Sequence, residues 1–311
     1  MTEGFTIDIK SKYDELDDLK KIVQASHQSP IISASVDGFD AAETIYLCGV
    51  RTNGSLVSFA WCMKRHWVIN YEIYIGLSIG LVTTDPRHRN SGYARSLIKG
   101  IENHARLNQV DFLYLAGIPG FYDKYGYIGF APKSKFIFSS ADLPKRNGRI
   151  VDATIYHLPV IQSLYNDYSS TIESFSYRKY SDWQDLFGPL SSTFLFYCPK
   201  LVLDQADKPI AYFCSTPNDV KAIREFIPAL DSDSVTTALS LIANSPEYAH
   251  RDSIEIFAPA KGPIWNIAND RLGADFQCFI RPRSSNMLKW LSSSESRALF
   301  SCNFLLQGNL L

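Results

Sequence analysis

Hydrophobic residues near the start of the chain predict a helix followed by a β-hairpin. Residues 13–27 carry apolar side chains at the spacing of one helical face. The members of that face are Leu16, Leu19, Ile22 and Val23. Residues 44–63 predict two strands joined at Asn53-Gly54, a dipeptide that favours a tight turn because both residues tolerate a positive φ.

A strand, a basic loop and a second helix follow this hairpin. Residues 77–84 form an apolar run typical of a buried strand. Residues 91–108 place a second set of apolar side chains on one helical face. That face consists of Ala94, Leu97, Ile98 and Ile101. A buried strand over 111–118 and an aromatic segment over 120–130 complete this half of the chain.

The second half repeats this order in weaker form. Residues 201–215 predict strand, turn and strand, 235–248 a helix, and 253–276 an apolar strand with a short helix, then glycine and aromatic residues. A polar, turn-rich stretch precedes the repeat, so we predict domains over 1–148 and 149–311. The second half has no counterpart of RHRNSGYA, which indicates a degenerate copy. A coincidental likeness between strand–helix–strand segments is the alternative.

Composition narrows the classes of function. The chain of 311 residues is 46% hydrophobic and 20% charged, which is typical of a soluble globular protein. Its net charge of -1 provides no basic field for nucleic acid or for an anionic membrane. The first residues lack the apolar centre of a signal peptide, and no apolar run approaches the length of about 20 residues that spans a bilayer. The six cysteines form no C-x-x-C motif and no histidine has zinc-like spacing, so we expect a cytoplasmic protein without a metal.

The loop between the strand and the second helix has the features of an anion site. Pro86 ends the strand and frees the amides that follow from the sheet. A helix N-terminus exposes unpaired N–H groups and a partial positive charge. Gly92 has no Cβ to obstruct a phosphate, and Arg89 adds a full charge. The pattern predicts a pyrophosphate site; a plain strand–turn–helix connection with solvated arginines is the alternative.

The stretch VTTDPRHRNSGYARSLI resembles the acyl-CoA loop of the Gcn5-related N-acetyltransferase (GNAT) superfamily, whose pattern is Arg or Gln, two residues, Gly, one residue, and Gly or Ala. GFYDKYGYIGF, further along, resembles the segment that follows in that superfamily. Together the two motifs are most similar to the enhanced-intracellular-survival (Eis) group, although this chain is too short for that group's third region. The resemblance implies an α/β protein of tandem GNAT folds. Each would be a mixed, mostly antiparallel sheet flanked by helices, with the second copy degenerate.

The resemblance also implies where an acyl-CoA donor binds. Pantetheine would lie where two central parallel strands splay apart, along the backbone of the strand before the loop. The end of the next strand would flank the thioester, and the loop amides would bind the pyrophosphate. The implied donor-binding residues are Val82, Thr83, Thr84, Arg89, Asn90, Ser91, Gly92, Tyr93, Ala94, Arg95, Gly117 and Ile118.

Acyl transfer also needs groups that move protons. Tyr122 matches the position of the general acid in the Eis group, and a phenol with a pKa of about 10 can protonate a thiolate. Simple packing within an aromatic turn is the alternative for Tyr122. Glu72 and His66 are candidate bases, each with an ordinary surface or loop role as the alternative. The terminal carboxylate reaches the active site in the Eis group, which implies Leu311 here.

These features predict an enzyme that moves an acyl group from acyl-CoA, with acetyl-CoA as the first choice, to a primary amine in a ternary complex. One alternative is a fatty-acyl transferase that uses a longer acyl-CoA and lipidates a lysine or ornithine side chain of a peptide. Another is a non-catalytic acyl-CoA-binding sensor or scaffold. We expect a small amine or peptide as acceptor, and no nucleic acid, membrane or metal partner. The sequence gives no oligomeric state.

Overall fold

The protein has two β-sheets flanked by helices, which confirms the predicted mixed α/β class. The computed structural model describes residues 5–10, 16–27, 36, 45–117, 120–129, 134–172, 174–187, 198–216, 219–258, 264, 277–280 and 286–291. The helices within these residues are α1 (Leu16–His27), α2 (Tyr93–Leu107), α3 (Leu158–Ser169), α4 (Tyr180–Phe187) and α5 (Ser232–Ala243).

The first sheet contains the strands that predominate in the first half of the chain. These are β1 (Phe5–Lys10), β2 (Ile45–Thr52), β3 (Ser55–Ile69), β4 (Glu72–Thr84), β5 (Phe112–Ala116), β6 (Ile128–Gly129), β9 (Ser174–Tyr177) and β15 (Asn286–Trp290). Their order is β1-β2-β3-β4-β5-β15-β6, and β9 pairs with β3. The β4–β5 pair is parallel and the other pairs are antiparallel. The predicted β2–β3 hairpin is confirmed, with a positive φ at Asn53 and Gly54.

The second sheet contains β7 (Ser134–Ser139), β8 (Gly148–Asp152), β10 (Cys198–Asp204), β11 (Pro209–Thr216), β12 (Asp219–Pro228), β13 (Ser253–Ala258) and β14 (Gln277–Ile280). Their order in the sheet is β14-β7-β13-β12-β11-β10-β8. The β12–β13 pair is parallel and α5 lies between these strands in sequence, just as α2 lies between β4 and β5. This strand–helix–strand unit is therefore present in both sheets. The glycine and aromatic residues predicted to extend the repeat at 269–276 lie outside the described residues.

Some strands belong to the sheet of the opposite half of the chain. β15 enters the first sheet between β5 and β6, and β9 pairs with the end of β3. Conversely, β7 lies in the second sheet between β14 and β13. The two sheets are therefore interleaved along the chain, and the division into 1–148 and 149–311 stays a prediction.

Apolar residues on both faces of the first sheet hold it between helices. Leu97 and Ile101 of α2 pack with the β4 residues Leu77 and Ile79 on one face. On the other face, α1 contributes to a separate cluster with β2 and β3. Its buried members are Leu19, Ile22, Val23, Val36, Ile45, Leu47, Leu56, Phe59, Trp61 and Met63. Within the described part of the chain, no helix is both long enough and apolar enough to cross a bilayer.

Candidate active site

The central feature of the first sheet is the point at which β4 and β5 part. Their parallel register runs from Gly76 opposite Phe112 to Ile79 opposite Leu115. At the near end, Asp111 ties the strands together, because its amide donates to Ile75 O and its carboxylate accepts from Ile75 N at 2.7 Å. Beyond Ile79, β4 continues its pairing with β3, whereas β5 continues its pairing with β15. The two strands therefore enclose a gap that opens toward the C-terminal end of β4.

A β-bulge shapes the β4 side of this gap. Thr83 lies opposite Phe59 and Gly80 opposite Trp61, so an extra residue is inserted, and Leu81 has a φ of 52°. A bulge bends a strand and turns its peptide groups out of the regular ladder. The predicted pantetheine-binding residues lie at this bend.

The backbone carbonyls of two of these residues accept bonds from neighbouring hydroxyls. Ser58 Oγ donates to Thr83 O at 2.8 Å, and Ser26 Oγ donates to Thr84 O at 3.0 Å. Each carbonyl keeps a second lone pair, so these bonds do not exclude a ligand. Val82 is half-buried and packs against the cluster under α2.

A buried carboxylate fixes the loop that follows. Asp85 N donates to Val57 O, and the Asp85 side chain accepts from Arg87 N and Nε and from Arg87 Nη2 at 2.7 Å. The hydrogen bonds from Arg87 lower the pKa of Asp85, so the carboxylate stays ionised. The sequence interpretation did not select Asp85 or Arg87. The signal was present, because Asp before Pro is a typical turn initiator.

The helix N-terminus after this loop has no side-chain cap. Asn90 and Gly92 have φ values of 65° and 83°, and Ser96 N makes the bond to Gly92 O. The amides of Ala94 and Arg95 therefore have no acceptor within α2. A Cβ on Gly92 would meet no atom within 4 Å, so the described residues leave the space beside it open. The exposed residues around Gly92 are Arg89, Asn90, Ser91 and Arg95, and the half-buried ones are Tyr93 and Ala94.

Tyr122 lies at the β5 side of the gap. A Cβ on Gly117, just past the end of β5, would overlap the Tyr122 ring, so the ring lies directly against the Gly117 backbone. Phe121 and Tyr127 contact the ring edge-on, with centroids 4.9 and 5.9 Å away. Burial raises the pKa of Tyr122 to about 12, so the phenol carries its proton at neutral pH. This arrangement keeps a protonated phenol beside the end of β5.

Comparison with known proteins agrees with this geometry. Residues 10–129 match the family model described as the acetyltransferase (GNAT) domain. The predicted resemblance to the GNAT superfamily is therefore confirmed over residues 10–129, and this domain supports a transferase enzyme. A search of curated protein sequences finds no match to it.

Several solved structures are similar in fold to nearly the whole chain. A probable N-acyltransferase from Enterococcus faecalis V583 has a TM-score of 0.70 at 15% identity, over 93% of this chain and 73% of that one. Eis1 from Mycobacterium abscessus has a TM-score of 0.58 at 13% identity, over 94% and 76%. The N-myristoyltransferase of Saccharomyces cerevisiae with bound myristoyl-CoA has a TM-score of 0.57 at 10% identity, over 93% and 83%. At these identities the likeness establishes the fold, including the predicted likeness to Eis.

The GNAT domain does not bring the two candidate bases to the gap. Glu72 is exposed at the start of β4 and accepts a hydrogen bond from Tyr74 at 2.6 Å, which raises the pKa of Tyr74 to about 12. At about 3.3 Å per residue, Glu72 stands roughly 26 Å along the strand from Gly80. His66 pairs with Ile75, also short of the gap. The apolar run predicted a strand from residue 77, but β4 already begins at Glu72. Both candidate bases therefore lie on the part of the β3–β4 hairpin that is far from the gap.

Two other predicted site residues cannot be placed. Ile118 and Leu311 lie outside the part of the chain that the structure describes. Their roles beside the thioester and as terminal carboxylate stay predictions. Among the residues that are described, no three His, Cys, Asp or Glu side chains are grouped so as to hold a metal ion.

The corresponding helix of the second sheet has a different N-terminus. Asp231 is the N-cap of α5, and its carboxylate accepts from Ser234 N at 2.8 Å. A carboxylate already occupies the place that an anionic ligand would take at this helix. The second unit thus keeps the strand–helix–strand framework without the open N-terminus of α2.

Proposed function

We propose that the protein is an N-acyltransferase that moves an acyl group from acyl-CoA to a primary amine within a ternary complex. One observation carries the proposal: in a GNAT domain, the open N-terminus of α2 and the Tyr122 phenol flank the same parting of β4 and β5. The diphosphate of the donor would take the outward amides of α2, and Arg89 would supply charge beside it. The pantetheine arm would follow the bulged end of β4 toward Gly117.

The chemistry at this gap needs no covalent enzyme intermediate. A neutral amine attacks the thioester carbonyl carbon and forms the C–N bond, and the tetrahedral oxyanion then collapses, which restores the C=O bond and breaks the C–S bond. The amine nitrogen loses its proton to solvent, and Tyr122 donates its own proton to the leaving thiolate before it is reprotonated from water. Holding donor and acceptor side by side supplies much of the acceleration. Backbone amides along the parted strands are suited to polarise the carbonyl.

The acceptor and the setting of the reaction stay predictions. We propose a small amine or a peptide amine as acceptor, a cytoplasmic location, and no nucleic-acid or membrane partner. Acetyl-CoA is the proposed donor.

A test with a panel of amines separates the enzyme from a binding module. Thiol release from acetyl-CoA is measured with polyamines, aminoglycosides and lysine peptides, and the best acceptor is used to compare Tyr122→Phe with wild type. We expect Tyr122→Phe to lower kcat by about 100-fold, the lower end of what a general acid contributes. The Kd for CoA should stay within about threefold, because the phenol is not among the diphosphate-binding groups.

Tyr125→Phe is the matched control, since Tyr125 is a partly buried phenol in the same aromatic turn. It should leave kcat near the wild-type value. If Tyr122→Phe turned over normally, the acid assignment would be wrong. If CoA bound but no amine in the panel were acylated, the non-catalytic acyl-CoA-binding module would be the better account.

A further inference from the structure

One face of β4 carries only small residues where the strand approaches the gap. Because alternate residues of a strand point to the same side, Gly76, Ser78 and Gly80 share the face turned toward α1. Left uncovered, these three positions would form a trough along the strand. Such a trough would begin at the parting of β4 and β5, where an acyl group would lie.

Two tryptophans of β3 fill this trough. Trp61 pairs with Gly80, and a Cβ on Gly80 would overlap its indole ring. Trp67 pairs with Tyr74, and a Cβ on Gly76 would lie 2.8 Å from its Nε1 and 2.7 Å from the ring of Phe112 on β5. Each indole thus crosses from β3 to lie over β4. The glycines are needed because the rings occupy the space of their side chains.

Trp61 covers β4 at the closed end of the gap, where the two strands begin to part. Gly80 is the first β4 residue beyond the last β4–β5 pair, Ile79 with Leu115. The Trp61 side chain is buried in the cluster beneath α1, so the helix holds the ring in place. Its Nε1 has no hydrogen-bond partner among the described residues.

The opposite face of the gap is closed as well. Leu77, Ile79, Leu115 and Tyr122 are all buried in the cluster under α2. Apolar cores are packed about as densely as organic crystals, so the residues that the structure describes on either face leave no ready channel for a long hydrocarbon tail.

We propose that Trp61 is the specificity-determining residue that limits the donor to a short acyl group, because its indole closes the end of the strand gap over Gly80. This inference rests on the proposed function. The indole occupies the space that a longer methylene chain would need. Acetyl-CoA fits such a site, and a fatty acyl-CoA does not. The chain therefore differs in donor class from the N-myristoyltransferase whose fold it shares.

The test measures binding, so it needs no knowledge of the acceptor. The Kd values of free CoA, acetyl-CoA, hexanoyl-CoA and octanoyl-CoA are determined by calorimetry for the wild type and for Trp61→Ala. Free CoA is the reference that corrects for changes at the diphosphate. We expect the wild type to bind octanoyl-CoA no more tightly than acetyl-CoA. The chain-length ratio is the Kd for acetyl-CoA divided by the Kd for octanoyl-CoA. In Trp61→Ala this ratio should increase by about tenfold, roughly the gain from burying two further methylene groups.

Two further variants keep the test decisive. Leu47→Ala is the matched control, because Leu47 lies opposite Trp61 on β2 in the same cluster but one strand further from the gap. It should lower stability without changing the chain-length ratio. Trp61→Leu serves if Trp61→Ala does not fold, and a smaller shift in the same direction is expected from it.

The outcomes separate this inference from the proposed function. If free CoA does not bind the wild type, the proposed function falls and the inference falls with it. If CoA binds and the wild type already prefers octanoyl-CoA about tenfold, only the inference is overturned. It is also overturned if the folded Trp61 variants keep the wild-type ratio, or if Leu47→Ala shifts the ratio as far as they do.

Discussion

At the scale of single residues, Gly92 leaves open space at the start of α2, and Gly80 makes room for the ring of Trp61. Gly92 follows a strand and begins a helix, so its need for an open, left-handed backbone was predictable from its neighbours in sequence. Gly80 is required because Trp61, far from it in sequence, lies across it. The same holds for Gly117 and the ring of Tyr122. Chemistry that depends on local chain geometry could be predicted, but steric fit between distant residues could not.

His27 should report on donor binding through its pKa. Its Nε2 contacts Thr83 Oγ1 at 2.8 Å, and desolvation together with the charge of Arg89 lowers the pKa of His27 below 6.5. A bound diphosphate would offset the charge of Arg89, so the pKa should rise when CoA binds. Binding then takes up a proton, and CoA affinity should increase as the pH falls through the bound-state pKa of His27.

NMR titration of the histidine rings with and without saturating CoA measures this effect. His104, in the last turn of α2, is the internal control and should keep its pKa. His27→Gln should remove the pH dependence of CoA affinity in this range. An unchanged His27 pKa at saturation would contradict the placement of the diphosphate beside Arg89.

At the scale of elements, periodic apolar residues predicted α1, α2, the β2–β3 hairpin and the repeated strand–helix–strand order. The predicted helix at 235–248 instead begins at Ser232, because Asp231 caps it. The strand β12 was missed because its charged residues do not resemble a buried strand. Glu225 is nevertheless buried, since Arg178 donates to both its carboxylate oxygens at 3.0 and 2.6 Å. A partner 47 residues away cannot be inferred from local periodicity.

At the scale of the whole molecule, the interleaved strands join the two sheets, and a buried ion pair adds to that join. Arg65 of β3 pairs with Asp182 of α4, and the exposed fractions of the two side chains are only 12% and 6%. Lys179 N donates to the same carboxylate at 2.8 Å. Pairings between residues so distant in sequence follow from neither hydrophobic pattern nor motif. The sequence therefore predicted the repeated unit but not the exchange of strands.

Removing one partner of this ion pair should lower the free energy of unfolding far more than removing both. Arg65→Met leaves the buried Asp182 charge uncompensated, and we expect it to lower the free energy of unfolding by about 3–5 kcal/mol. The double variant Arg65→Met/Asp182→Leu should regain most of that loss, because neither charge is then buried. Urea unfolding, monitored by tryptophan fluorescence, measures the free energy of unfolding of the single and the double variant. If the free energy of unfolding of Arg65→Met were within about 1 kcal/mol of the wild-type value, the pair would be effectively solvated.

The central claim is that the amides at the start of α2 bind the diphosphate of an acyl-CoA, and CoA binding to Gly92→Val tests it most directly. Gly54→Val is the matched control, because Gly54 has a φ of 79° and a Cβ there, as at Gly92, would meet no atom within 4 Å. Both variants therefore carry similar backbone strain, and their thermal stabilities are compared first. By calorimetry, Gly92→Val should weaken CoA binding by roughly 100-fold, as expected when charge-assisted hydrogen bonds to the diphosphate are lost, while Gly54→Val should bind almost as the wild type does. A folded Gly92→Val protein that bound CoA with wild-type affinity would contradict the account.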